Sequence, residues 1–145
     1  MQKTLMMIKP DAVARQLAGP ILARVESSGL RAVRIRMVQL RPEEARTFYR
    51  VHEGKPFLDA LVAYMSSGPI IALVLEAESA ITRLREIVGA TDPSKAAPGT
   101  IRRDFGVDIQ SNAVHASDSP ESAEEEIRFF GLALALRGQG AESSR

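Results

Sequence analysis

A chain of 145 residues has the length of one domain, enough to enclose a single hydrophobic core and too little for two of comparable size. Hydrophobic residues make up 45% and charged residues 26%, and a net charge of +1 leaves no cationic excess for a dedicated nucleic-acid binder. Cysteine is absent, which excludes disulfides, thiolate nucleophiles and Cys-based zinc sites and accords with a reducing cytoplasm.

Met1-Gln2-Lys3-Thr4 leads into a short apolar run that Lys9 interrupts, with no room for the apolar segment of a signal peptide. The longest apolar stretch, Pro69 to Leu75, falls far short of the roughly 20 residues that span a bilayer. A soluble, cytoplasmic protein without membrane contact is expected. Thr4 to Ile8 reads as a short buried strand ended by Lys9-Pro10-Asp11, where the chain turns. From Pro20 to Ser28, Ile21, Leu22 and Val25 follow helical spacing, and Gly29 stands where a helix commonly stops. Arg31 to Leu40 alternates Val33, Ile35 and Met37 with Arg34 and Arg36, which predicts a strand with one apolar and one solvated face. Pro42 and two glutamates open a helix reaching Arg50, and a second helix is expected from about Phe57 to Met65. Gly68-Pro69 then breaks the chain ahead of a continuous apolar run, Ile70 to Leu75, that suits a central strand. Ser79 is the expected cap of the next helix, which turns Ile81, Leu84, Ile87 and Val88 inward before Gly89 ends it.

The stretch from Ala90 to Gly106 carries Pro93, Pro98 and Gly99 among polar residues and is expected as one long loop, bearing Thr91, Lys95, Thr100, Arg102 and Arg103. A short strand around Ala113 to His115 follows. Ser119-Pro120-Glu121 then opens a last helix with Ala123, Ile127 and Phe130 inward, and a loose polar tail from about 138 to 145 closes a single domain, 1–145. A helix pair separates the second and third strands, a pattern that leans toward an α+β or mixed sandwich of helices on a small sheet.

Chemistry concentrates around His115, one of two histidines, at the end of a short strand and just before a capped helix. An imidazole with its ordinary pKa of about 6.5 is largely neutral at pH 7 and has a lone pair for attack. A histidine merely satisfied by neighbouring Ser and Asp is the plainer reading of that residue alone. Glu126 shares a helical face with Ala123, Ile127 and Phe130, whereas Glu124 and Glu125 point toward solvent. A carboxylate at the edge of a buried face needs a partner, and an imidazole N–H would serve, orienting the ring while its other nitrogen attacks. Arg85 and Arg102 supply guanidinium groups matched to phosphate oxygens and Lys9 a point charge, although each alone is more economically read as structural. Phe57 stands at a helix start, where an exposed ring can stack on a base, or can simply pack in the core.

These segments are collinear with one family. Lys9-Pro10-Asp11-Ala12-Val13, His52-Glu53-Gly54-Lys55-Pro56-Phe57, Ser67-Gly68-Pro69, Gly89-Ala90-Thr91-Asp92-Pro93 and Pro98-Gly99-Thr100-Ile101-Arg102 follow in order. Asn112-x-x-His115-x-Ser117-Asp118-Ser119-x-Glu121-Ser122-Ala123 completes the set. The chain resembles the nucleoside diphosphate kinases over nearly its whole length. The resemblance implies a ferredoxin-like four-stranded antiparallel sheet with helices packed on it, and it assigns the long loop to a nucleotide cleft. It implies ping-pong transfer from ATP and other nucleoside triphosphates to diphosphates through a phosphohistidine at His115, supported by Glu126. Residues matching Lys9, Tyr49, Arg85, Thr91, Arg102 and Asn112 contact phosphates or sugar in that family, and the one matching Phe57 stacks on the base. Mg²⁺ is expected to arrive with the nucleotide rather than on protein ligands, and a homotetramer or homohexamer is expected. The residue after the histidine, usually glycine in the family, is Ala116; were its backbone left-handed, alanine there would cost roughly 1–2 kcal/mol.

Overall fold

The computed structural model describes residues 1–132; the expected tail at 138–145 lies outside them. Four strands, β1 (Gln2–Ile8), β2 (Arg31–Val38), β3 (Ile70–Ala77) and β4 (Val114–Ala116), form one sheet in the order β2-β3-β1-β4. All three pairings are antiparallel, with Leu5 opposite Val74 and Met7 opposite His115. Helices α1 (Pro10–Ala14), α2 (Ala18–Ser27), α3 (Pro42–Phe48), α4 (Leu58–Met65), α5 (Ala80–Val88), α6 (Ile101–Phe105) and α7 (Pro120–Phe129) complete the described residues, with single 3₁₀ turns at 50–52 and 93–95. This is the α+β, ferredoxin-like arrangement.

Burial on both faces explains why β1 and β3 are apolar without alternation. Met6, Ile8, Leu73 and Leu75 point toward α2, α5 and α6, meeting Ile21, Val25, Leu84 and Ile101. Leu5, Met7, Ala72 and Val74 point the other way, against Phe48, Val62, Met65 and Ile127 of α3, α4 and α7. Each strand therefore seals two cores at once, and Thr4 to Ile8 and Ala72 to Leu75 are excluded from water whichever way they face.

The structure departs from expectation at four places. Lys9-Pro10-Asp11 is not only a turn: Pro10 occupies the first position of α1, where its missing N–H costs nothing. Residues 90–106 are not one loop but include the 3₁₀ turn and α6, which Thr100 caps by accepting from the Arg103 N–H. Ser79 occupies the cap position of α5 without a side-chain cap bond, because its backbone is left-handed (φ 51°). The Ile81 N–H is satisfied instead by the Gln2 side chain, far away in sequence, at 2.9 Å. In β2 the register shifts between Ala32 and Arg34, so the simple alternation fails. Val33 tucks against the α3–α4–α7 core and Arg34 is half-buried, while Ile35 and Met37 stand 55% and 60% exposed on the sheet edge. No helix among the described residues is long and apolar enough to cross a membrane.

Candidate active site

His115 sits in the middle of β4 because the β1–β4 ladder continues past it. Met7 and Ile8 pair with His115 and Val114, and the Lys9 N–H then donates to the Ala113 carbonyl at 2.9 Å. At Ala113 the strand breaks. Its φ is 77°, and the Val114 N–H donates to the Asn112 carbonyl at 3.0 Å, closing a tight turn about a fully buried, left-handed alanine. Such a conformation costs roughly 1–3 kcal/mol and survives only where its surroundings fix it. Ala116, the residue directly after His115 and opposite Met6 in the ladder, does not have a positive φ. The penalty considered for alanine after the histidine therefore does not arise; the left-handed residue is Ala113.

Lys9, Tyr49, Phe57, Arg85, Thr91, Arg102, Asn112, His115 and Glu126 all line one cleft of about 860 Å³. The imidazole is partly open to it, its side chain 23% exposed. His115 Nε2 lies 2.9 Å from Glu126 Oε1, and the same oxygen accepts from the Ser117 hydroxyl at 2.6 Å. The reach of Glu126 is set by α7, which starts at a two-way cap between Ser119 and Ser122 and packs Ala123 and Ile127 inward. Phe48 and Tyr49 meet the imidazole edge to face, with centroids 5.3 and 6.3 Å away, so the ring is held sideways as well as at its nitrogen.

The cations are anchored to the backbone around the histidine. Arg85 donates to the Ala116 carbonyl at 3.0 Å, and Arg102 to the carbonyls of Val114 at 2.9 Å and Gly89 at 3.3 Å. Lys9, only 6% exposed, gives its ammonium to Asn112 Oδ1 at 2.9 Å and to the Gln110 carbonyl at 2.7 Å. Burial, and then the Arg102 charge, lower the Lys9 pKa to about 8. Burial, and then Arg85, lower Arg102 to about 10. Positive charge is thus concentrated and poorly hydrated here, a state relieved by a bound anion. Burial and the nearby Glu126 charge push the Tyr49 phenol up, so it remains a neutral hydroxyl.

The remaining residues frame the cleft. Asn112 turns its amide nitrogen to the Thr91 carbonyl at 3.0 Å. Phe57 is 48% exposed, with its ring 5.1 Å from that of His52. Lys95 and Arg103, named with the same loop, do not line the cleft, and Arg103 instead donates to the Ala96 carbonyl at 2.9 Å. Several residues at or behind the cleft escape sequence reasoning. Ser117 was visible only as part of a motif, and nothing in spacing marks it as a partner of Glu126. Ile109, 60% exposed yet lining the cleft, carries the one available signal, an apolar residue in a polar stretch. Among the described residues no group of three or more His, Asp or Glu side chains is placed to hold a metal ion.

Comparison with known proteins decides what this geometry belongs to. The model of the family described as nucleoside diphosphate kinase matches residues 2–132. The chain belongs to the nucleoside diphosphate kinase family. It is 57% identical over 129 residues to the nucleoside diphosphate kinase of Halorhodospira halophila, covering 89% of this chain and 92% of that one. With its counterpart in Roseiflexus castenholzii it is 52% identical, covering 94% and 91%. Solved structures agree: the Aquifex aeolicus nucleoside diphosphate kinase superposes with a TM-score of 0.89 at 48% identity, covering 92% of this chain and 96% of that one. A Halobacterium salinarum nucleoside diphosphate kinase, solved in complex with CDP, gives 0.86 at 43% identity, covering 89% and 86%. Membership makes this chain a phosphotransferase that uses nucleotides together with a divalent cation.

Proposed function

We propose that this nucleoside diphosphate kinase family member passes the terminal phosphate of ATP or another nucleoside triphosphate to a nucleoside diphosphate, through a phosphohistidine on His115. The observation that carries the reading is the 2.9 Å contact between His115 Nε2 and Glu126. An ionised carboxylate can only accept, so Nε2 bears the proton and the lone pair lies on Nδ1. As Nδ1 attacks, positive charge grows on the ring and Glu126 stabilises it, with Ser117 holding the carboxylate in place.

The γ-phosphorus takes the Nδ1 lone pair as its bond to the bridging oxygen breaks, and the diphosphate leaves with that electron pair. The return transfer runs the same path in reverse, so donor and acceptor use one site in turn and ping-pong kinetics follow. A phosphoryl transition state needs in-line placement and charge compensation more than covalent help, which Lys9, Arg85 and Arg102 are suited to give. Tyr49, Thr91 and Asn112 are assigned to phosphate and sugar contacts. Mg²⁺ would be carried by the nucleotide phosphates and would neutralise part of their charge. Asp118, Glu125 and Glu126 line the cleft, but among the described residues no group of three or more His, Asp or Glu side chains is placed to hold a metal ion. Phe57 offers a face to the base. Stacking is indifferent to base edges, so low base selectivity is expected.

The domain is read as 1–145, the enzyme as cytoplasmic, and its working form as a homotetramer or homohexamer. The edge strand β2, with Ile35 and Met37 exposed, supports self-association, because an uncovered apolar edge is a surface for another copy. The function is tested by incubating the protein with γ-labelled ATP and Mg²⁺. A phosphate stable in alkali and lost in acid should appear on the protein and be discharged by any added nucleoside diphosphate. His115→Ala should abolish labelling and Glu126→Ala should slow it; an unlabelled wild-type protein would refute the intermediate.

A further inference from the structure

An uninterrupted strand turns successive side chains to opposite faces. Val114 and Ala116 pack into the α2–α5–α6 core, while His115 between them meets Phe48 and Tyr49 on the other face. Continued alternation would put Ala113 on the His115 side and Asn112 on the core side. Yet Ala113 packs with Val114, and Asn112 meets Lys9 and Thr91 at the cleft. The left-handed turn at Ala113 is what resets the alternation between Asn112 and His115. Something must hold that turn, and its buried Ala113 N–H finds Asp11 Oδ2 at 3.2 Å. The other oxygen of the same carboxylate accepts from the Tyr64 hydroxyl of α4, and that hydroxyl in turn accepts from the Asp11 N–H at 3.1 Å. Burial and the bond to Asp11 keep the Tyr64 phenol protonated and therefore a donor.

We infer that Asp11, buttressed by Tyr64, is a positioning residue for phosphoryl transfer: its carboxylate holds the Ala113 turn that delivers His115 and Asn112 to the same cleft. Both partners of the carboxylate are donors. Each carboxylate oxygen takes one of them. Asparagine, identical in shape, would either set its NH₂ against the Ala113 N–H or keep its oxygen there and force the Tyr64 hydroxyl to turn from donor to acceptor, loosening the buttress. Asp11 does not line the cleft, so its effect on the reaction runs through backbone geometry rather than through contact with substrate. The inference rests on the reading of His115 as the phosphoryl carrier.

The test is single-turnover labelling of Asp11→Asn at saturating ATP and Mg²⁺, with label counted per folded chain. Displacing a reacting group by an ångström costs roughly tenfold to a hundredfold in rate, so labelling should slow by that order. The final label should still reach the wild-type stoichiometry, and the KM for the diphosphate should move far less than kcat. The same substitution in an Ala113→Gly background should cost less, because glycine adopts the left-handed turn without needing to be held there. Tyr64→Phe, which keeps the ring and removes only the hydroxyl, should give a smaller slowing in the same direction and serves if Asp11→Asn fails to fold. Labelling of folded Asp11→Asn at the wild-type rate would overturn the inference. So would an equal loss in both backgrounds, or a fall in stoichiometry with unchanged rate. If the wild-type protein itself took no label, the reading of His115 would fall first, and the role of Asp11 with it.

Discussion

In the role proposed for it, meeting a polyphosphate, the buried Lys9 is caught between two demands. Its ammonium is needed for the ligand, yet burial and the Arg102 charge lower its pKa from 10.5 to about 8. In the free protein, charged Lys9 costs stability below about pH 8, and that cost is relieved as pH rises toward 10.5, because the folded state sheds the proton before the unfolded chain does. Nucleotide binding has the opposite sign: phosphate oxygens favour the charged form. We therefore predict that kcat/KM falls as pH passes about 8, whereas kcat at saturating nucleotide persists to higher pH. Parallel pH profiles of the two constants check this, and a kcat/KM that stays level through that range would contradict it.

At the scale of elements, the cleft depends on how α5 hands the chain to α6. Gly89 ends α5 with φ 89°, its carbonyl accepts from Arg102, and a Cβ there would lie 2.6 Å from Thr100 Oγ1, the cap of α6. Gly89→Ala combines a backbone penalty with overpacking, together roughly 2–4 kcal/mol. It should lower the thermal midpoint measurably and reduce turnover by displacing Arg102; calorimetry and steady-state assay report the two effects, and an unchanged midpoint would count against the contact. That contact also marks where the sequence stops being readable. Gly89 as a helix stop was legible from its place after Val88, and so was α7, since Ser119-Pro120 is a local start signal. α6 was not, because a five-residue helix between prolines and glycine gives too little periodicity to count. The Gln2 bond that replaces a Ser79 cap joins the start of β1 to the chain just leaving β3, neighbours in space but far apart in sequence, and no local pattern encodes it. The pairing of His115 with Glu126 could be argued from helical spacing, as both belong to neighbouring elements. Asp11, Ser117 and Tyr64 could not, for their partners are chosen by the packed fold.

For the molecule as a whole, the misread strand is the informative one. The alternation in Arg31–Leu40 assigned Ile35 and Met37 to a buried face, but the shift between Ala32 and Arg34 and the position of β2 at the sheet edge leave both exposed. The apolar residues are explained if the burial they imply is supplied by another copy of the chain. Ile35→Lys should therefore yield smaller particles in sedimentation velocity without unfolding the sheet, because a charge at an uncovered edge opposes edge-to-edge association. An unchanged sedimentation coefficient would place the interface elsewhere. All of this surface serves one small event, the temporary lodging of a phosphoryl group on a ring held by Glu126. The most direct measurement is NMR of the ¹⁵N-histidine-labelled phosphoenzyme, reading which ring nitrogen couples to phosphorus. Coupling to Nδ1 of His115, with Nε2 still protonated toward Glu126, is the predicted result; coupling to Nε2, or a phosphate on any other residue, would contradict it.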